Sequence, residues 1–124
     1  MPKAISTYRE LDVWKKSVDL VVEVYRLSKR MPPSERFGLI PQIQRAAASI
    51  PANIAEGYGR SHRGDYLRHL SIAKGSLAEL ETHLIVSGRL EYISRGEAKK
   101  TWALAQDVGK MLTKLISSLQ GHAR

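Results

Sequence analysis

The most constraining feature of this sequence is the spacing of apolar residues between positions 63 and 87. These residues step by four and three positions without a break, through Tyr66, Leu70, Ala73, Leu77, Leu80 and Leu84. Residues three and four apart lie on one side of a helix, so the stepping predicts a long helix with one apolar seam. Such a seam is buried against other helices. The segment therefore predicts a helical bundle.

Three further segments carry the helical period, over about 10–29, 41–59 and 95–120. In the last of them the apolar line is Ala98, Trp102, Ala105, Gly109, Leu112, Ile116 and Leu119. Four helices joined by short connections predict an all-α protein, an up-down-up-down antiparallel four-helix bundle. We expect residues 1–124 to form a single domain of this kind.

Local signals mark the ends of these helices. Pro32 and Pro33 end the first, because proline disfavours helix in the residue before it. Pro41 suits the first helical position of the second, and Ser94 followed by Glu97 is a capping box before the fourth. The signals place short connections between long helices.

The second helix carries two lines of residues at helical spacing. One is apolar and small: Ile43, Ala47, Ile50, Ile54 and Tyr58. The other is polar: Gln42, Arg45, Ser49, Asn53, Glu56 and Arg60. A solvated face is usually rich in Lys and Glu, whereas this one mixes amides, a hydroxyl and single charges, so it requires an explanation of its own.

Two interpretations of the polar line are open. Pro51 removes the hydrogen bond to the carbonyl of Ala47 and should bend the helix. In the structural interpretation, Ser49, Asn53 and Glu56 satisfy the freed backbone and tie this helix to the third one near Ser76 and Glu79. In the functional interpretation, Arg45, Asn53 and Arg60 centre a ligand or nucleic-acid site. We favour the structural one, because buried polar groups must be hydrogen-bonded.

Glycines add two expectations. Gly57 and Gly59 are expected to end the second helix with left-handed backbone angles. Gly75 lies mid-helix, where glycine costs about 1 kcal/mol relative to alanine, so we expect a close approach to the alanines of the second helix there.

Composition excludes several classes of function. The chain has no cysteine, which excludes disulfides, thiolate metal sites and thiol catalysis. Neither a signal-peptide run nor a membrane span is present in the sequence, so we expect a cytoplasmic protein without membrane contact. His62, Asp65 and His69, or Glu79 and His83, have metal-ligand spacing, but solvated side chains are the better interpretation. We predict no enzymatic activity, no metal and no cofactor.

Charge is the strongest clue to a partner. Twenty Lys and Arg against twelve Asp and Glu give a net charge of +8, which favours polyanions such as nucleic acid (RNA or DNA) or anionic membrane surfaces. The candidate nucleic-acid-binding residues are Arg60, Arg63, Arg68, Lys74, Lys15 and Lys16. Further positive surface comes from basic residues of the first and fourth helices: Arg26, Lys29, Arg30, Lys99, Lys100, Lys110 and Lys114. The alternative is a solvated face on which charge serves solubility.

A family resemblance covers nearly the whole chain. The opening Leu11–Lys16, the run Gln42, Arg45, Ala46, Ser49, Ile50, Asn53, Ile54, Ala55, Glu56, Gly57, and then Ile72, Ala73, Gly75, Ser76 and Glu79 resemble the signature of the 23S rRNA-intervening sequence proteins. Ile40 and Pro41 depart from that pattern, where a polar cap residue is expected. The family is related to the accessory variability determinant proteins of diversity-generating retroelements.

The accessory variability determinant proteins are basic homopentamers that bind nucleic acid and a reverse transcriptase, whereas no biochemical activity is established for the intervening-sequence members. The resemblance therefore implies a four-helix bundle and its assembly, and it implies a function only by analogy. Modest support for self-association comes from an apolar cluster at the third connection: Ile85, Val86, Leu90, Tyr92 and Ile93. Two functional hypotheses stand. One is a non-catalytic oligomeric scaffold that binds structured RNA. The other is a protein-interaction scaffold for an enzyme such as a reverse transcriptase, without direct nucleic-acid binding.

Overall fold

Four long helices make up the computed structural model, which describes residues 5–121. They are α1 (Asp12–Ser28), α2 (Leu39–Tyr58), α3 (Arg63–Arg89) and α4 (Arg95–Gly121), with single 3-10 turns at Tyr8–Glu10 and Pro33–Glu35. No strand occurs within residues 5–121. The predicted all-α fold is confirmed, with helix ends within two residues of those expected. The predicted domain also included 1–4 and 122–124, which lie outside the described residues.

The helices form a ring in which each packs against two neighbours. α2 contacts α1 and α3, and α4 contacts α3 and α1. Cross-helix pairs fix the directions: Glu23 of α1 lies 3.3 Å from Lys100 of α4, whereas Lys16, two turns earlier, lies 3.9 Å from Asp107 further along α4. Neighbours are therefore antiparallel, and α1 lies diagonally across the bundle from α3.

The core follows the apolar seams, with one correction in α4. The predicted α3 seam is buried from Leu70 to Leu84. In α4, however, Thr101 and Val108 are buried beside Ala105 and Leu112, and Trp102 lies at the rim with 37% of its surface exposed. The predicted line through Trp102 and the buried line through Thr101 and Val108 both have helical spacing, and both contain Ala105 and Leu112. Spacing alone therefore could not show which of them faces the core.

The start of α2 also differs from expectation. The helix begins at Leu39, which makes Pro41 its third residue rather than its first. Proline is tolerated at this position because the first four N–H groups of a helix have no hydrogen-bond partner within the helix, so the missing N–H of Pro41 removes no such bond. Ser94 and Glu97 do form the predicted capping box, with reciprocal bonds of 2.8 and 3.1 Å.

The glycine expectations need two corrections. α2 does end next to Gly59, which follows its last residue Tyr58, but Gly59 has φ of −76° and no glycine among residues 5–121 has a positive φ. The close approach lies at Gly57, where an added Cβ would be 2.7 Å from Cβ of His69. At Gly75 an added Cβ would meet nothing within 4 Å.

Gly75→Ala is therefore expected to stabilise the protein. It removes the backbone entropy of an exposed mid-helix glycine, so the free energy of unfolding should rise by about 1 kcal/mol in urea titrations. A loss of stability would contradict this expectation and would indicate that another chain covers this face of α3 in solution.

Candidate nucleic-acid interface

The ion pairs of the protein are distributed unevenly over the helices. All three basic residues of α1 have a carboxylate within 4.0 Å: Lys15 with Asp12, Lys16 with Asp107 and Arg26 with Glu23. By contrast, the four basic residues of α3 make no ion pair with any residue from 5 to 121: Arg63, Arg68, Lys74 and Arg89. All four are exposed. Among the described residues, α3 thus carries exposed Lys and Arg side chains without an ion pair, as α4 does at Arg95, Lys99, Lys110 and Lys114, whereas α1 carries none.

The six candidate residues do not share one surface. Lys15 and Lys16 lie on α1, diagonally opposite α3 in the ring. Arg60 follows α2 and donates to Glu56 at 2.8 Å, a hydrogen bond that lowers the pKa of this carboxyl. Arg63, Arg68 and Lys74 remain on α3, and Lys74 also borders the groove between α3 and α4. The structure thus brings together three of the six.

A second polar group lies between α2 and α3. Asn53 Nδ2 donates to the carbonyl and Oγ of Ser49 at 2.9 and 3.0 Å, and Ser49 Oγ lies 2.9 Å from Ser76 Oγ. Asn53 Oδ1 lies 3.0 Å from Nδ1 of His69. Because the amide nitrogen of Asn53 faces Ser49, its oxygen accepts, and His69 Nδ1 must carry the proton.

This network corrects part of the structural interpretation. The side chain of Asn53 bonds to the carbonyl of Ser49 rather than to that of Ala47, which Pro51 leaves free. Glu56 pairs with Arg60, and Glu79 lies 3.3 Å from His83, so neither carboxylate joins the group. Gln42 and Arg45 are exposed. Of the polar line, only Ser49 and Asn53 connect the two helices.

His69 is the residue that sequence reasoning misplaced. The sequence pattern favours a solvated side chain over a metal ligand, but His69 is buried, and its Nε2 has no hydrogen-bond partner among the described residues. His62 and Asp65 lie outside this buried site. Within residues 5–121 no group of three or more potential ligands lies close enough to hold a metal. The sequence did contain a signal for this burial. His69 belongs to a second line of residues, at positions 69, 73, 76 and 80, which steps by four and three beside the apolar seam of α3.

Comparison with known proteins decides the family. The model of the family described as 23S rRNA-intervening sequence protein matches residues 9–114. The chain belongs to this family. A crystal structure from Bacteroides thetaiotaomicron, described as a protein with unknown function from the S23 ribosomal protein family, is 30% identical. The structural match covers 84% of this chain and 97% of the Bacteroides chain, with a TM-score of 0.78. No curated protein matches.

This intervening-sequence protein also carries an unpredicted link between two connections. Glu35 Oε1 accepts from the N–H of Leu39 at 3.0 Å, and Oε2 accepts from Tyr92 Oη at 2.9 Å. Glu35 thus supplies the polar cap that Ile40 and Pro41 do not. Its bond from Leu39, followed by that from Tyr92, lowers the pKa of Glu35 below its ordinary value of 4.5.

Glu35→Gln should therefore reduce stability in a pH-dependent way. Because the folded pKa lies below the unfolded one, the carboxylate stabilises the fold above pH 4.5, and this contribution disappears as the pH falls through the lowered folded pKa. The difference in Tm from wild type should be largest near neutral pH and shrink in acid. Glu91→Gln, on an exposed residue of the other connection, is the control. A difference that does not change with pH would contradict the assignment.

The predicted apolar cluster at the third connection is only partly exposed. Ile85, Val86 and Leu90 are 40 to 52% exposed, whereas Ile93 is buried and Tyr92 is partly buried beside Glu35. Three of the five predicted apolar side chains therefore remain on the surface. None of the helices within residues 5–121 is long and apolar enough to cross a bilayer.

Proposed function

We propose that this family member is a non-catalytic, basic, oligomeric scaffold that binds nucleic acid, with structured RNA as the intended partner. The observation that carries the proposal is the difference in ion pairing between α1 and α3. A cation held by a carboxylate gives up that pairing when it contacts a phosphate, whereas the cations of α3 have no such pairing to lose. Phosphate contacts of this kind release counterions and do not read bases.

Assembly strengthens the same interaction. Five copies of a +8 chain would carry a formal charge of about +40, which binds a polyanion through many weak contacts. The exposed Ile85, Val86 and Leu90 support association, since contiguous apolar surface marks interfaces. The number five comes from the family resemblance alone. Light scattering that returned a monomer would remove this part of the proposal.

Filter binding to an RNA hairpin across a salt series tests the nucleic-acid part. The triple change Arg63→Gln, Arg68→Gln and Lys74→Gln should weaken binding at least about tenfold and lower the salt slope by about one per lost phosphate contact. The matched triple change Lys15→Gln, Lys16→Gln and Arg26→Gln removes the same charge from α1 and should have the smaller effect. No retention at low salt, or equal losses for the two triples, would contradict the assignment to α3.

A scaffold for an enzyme such as a reverse transcriptase is the second candidate, and the exposed Ile85, Val86 and Leu90 favour it. Pull-downs with and without nuclease separate the two. Protein partners that persist after nuclease treatment indicate protein contacts, and partners lost with the RNA indicate nucleic-acid binding.

A further inference from the structure

A groove of about 770 Å³ runs along the surface between α3 and α4. Its floor is apolar: Leu77 and Ala105 are buried there, and Gly109 lies beside them. An added Cβ at Gly109 would be 3.2 Å from Cδ2 of Leu77, so the glycine allows the helices to meet below the groove. The floor offers a partner apolar contact.

The rims of the groove are cationic. Lys74 stands on the α3 side, and Lys110 and Lys114 stand on the α4 side. None of the three makes an ion pair with any residue from 5 to 121. One acidic residue borders the groove, Glu81, and its Oε2 already accepts a 2.7 Å hydrogen bond from Gln106. The rims therefore present net positive charge.

Exposed apolar residues continue the groove toward the other end of the bundle. The bond between Glu81 and Gln106 fixes the register of the antiparallel pair. One turn further along α3 lies Ile85, and one turn earlier on α4 lies Trp102, so the two share the next level. Ile85 is 51% and Trp102 37% exposed. From Lys74 to Ile85 the surface extends about 16 Å, or three helical turns.

We propose that this groove binds an acidic amphipathic helix of a partner protein. Such a helix would place its apolar side on the floor and on Ile85 and Trp102, and its carboxylates against the three lysines. Charge complementarity selects the partner. The three lysines require anionic side chains, and the floor of the groove requires apolar side chains on the same partner helix. The proposal shares Lys74 with the proposed nucleic-acid surface but does not use Arg63 or Arg68, so the two functions can be tested separately.

Two other occupants fit less well. RNA would meet a floor formed by the aliphatic Leu77 and Ala105, and Trp102 at one end is, among the described residues, the single aromatic side chain along this groove on which a base could stack. Within residues 5–121, a second copy of this chain offers no acidic helix. Acidic and basic residues balance in α1 and in α2, and basic residues exceed acidic ones in α3 and in α4. A foreign acidic helix is the partner that uses both the floor and the rims.

Fluorescence anisotropy with a designed peptide tests the proposal. The probe is a labelled amphipathic helix of about 18 residues, with leucine on one face and glutamate on the other. Ala78→Trp fills the groove without changing charge, and Lys110→Glu with Lys114→Glu reverses the rim. Each should weaken binding at least about tenfold. Ala48→Trp, on an exposed position of α2, and Lys15→Glu with Lys29→Glu, on and just after α1, are the matched controls and should bind as wild type does. Thermal melts confirm that each variant folds.

Three outcomes would overturn the proposal. They are no binding of the acidic peptide at about 1 mM, equal binding of a peptide with lysine in place of glutamate, and binding that Ala78→Trp leaves unchanged. If Ala78→Trp instead weakened binding of the RNA hairpin, the groove would be assigned to nucleic acid. Because Lys74 borders the groove as well, the variant Arg63→Gln with Arg68→Gln separates the two functions: it should weaken RNA binding and leave peptide binding unchanged.

Discussion

Gly57→Ala is expected to lower the free energy of unfolding by about 1–3 kcal/mol. Gly57 is buried where α2 crosses α3, and an added Cβ would lie 2.7 Å from Cβ of His69 and 3.1 Å from Cδ1 of Tyr66. Neither atom is the far end of a flexible side chain, so the two helices must separate. Urea or thermal unfolding measures the loss.

Gly59→Ala is the matched control for this change. An added Cβ at Gly59 would meet only the carbonyl oxygens of Glu56 and Ala55, at 3.6 and 3.7 Å, which is ordinary contact. Its φ of −76° suits any residue. We therefore expect little change in stability. Equal losses for the two variants would show that helix-end effects, rather than the close approach to α3, govern this segment.

Asn53→Ala should lower stability by about 1–3 kcal/mol, seen as a lower Tm. The change removes the donor to Ser49 and the acceptor facing Nδ1 of His69. His69 is already buried with Nε2 unpartnered, so the variant would leave both ring nitrogens unsatisfied. An unsatisfied buried polar group retains its desolvation penalty, which is why the loss exceeds that of an ordinary surface change.

The same variant decides between the two interpretations of the polar line. Gln42→Ala changes an exposed amide on the same helix and serves as the control, with an expected effect within about 0.5 kcal/mol. If Asn53→Ala kept its Tm but lost RNA binding in the filter assay, the polar line would be a binding site and the structural interpretation would be wrong.

The sequence predicted the helices because their signals are local. The α3 seam follows from periodicity, and the capping box at Ser94 needs only two residues at the correct spacing. The start of α2 was misplaced because its cap comes from Glu35, a residue outside the helix that is also held by Tyr92, fifty-seven positions away. A sequence pattern does not show a cap whose geometry depends on another connection.

The candidate site was less predictable than the fold. Lys16 and Arg63 look alike in a sequence, yet Lys16 lies 3.9 Å from Asp107 of α4 and Arg63 has no carboxylate partner among the described residues. The sequence did not predict the groove between α3 and α4. Lys74 and Lys114 are forty positions apart, and they border the same groove only because α3 and α4 pack in this register. His69 was misplaced for a related reason, since its burial depends on Asn53 of the opposing helix.

The amino-acid sequence by itself determined the helix count, the order of the helices, the excess of positive charge and the family, because periodicity, capping residues and composition are properties of the chain. Only the tertiary structure decided which glycine packs against a neighbouring helix, which apolar line of α4 faces the core and which Lys and Arg side chains lack a carboxylate partner among the described residues. These depend on the rotation and register of one helix against another, and packing sets both through contacts between residues far apart in the chain.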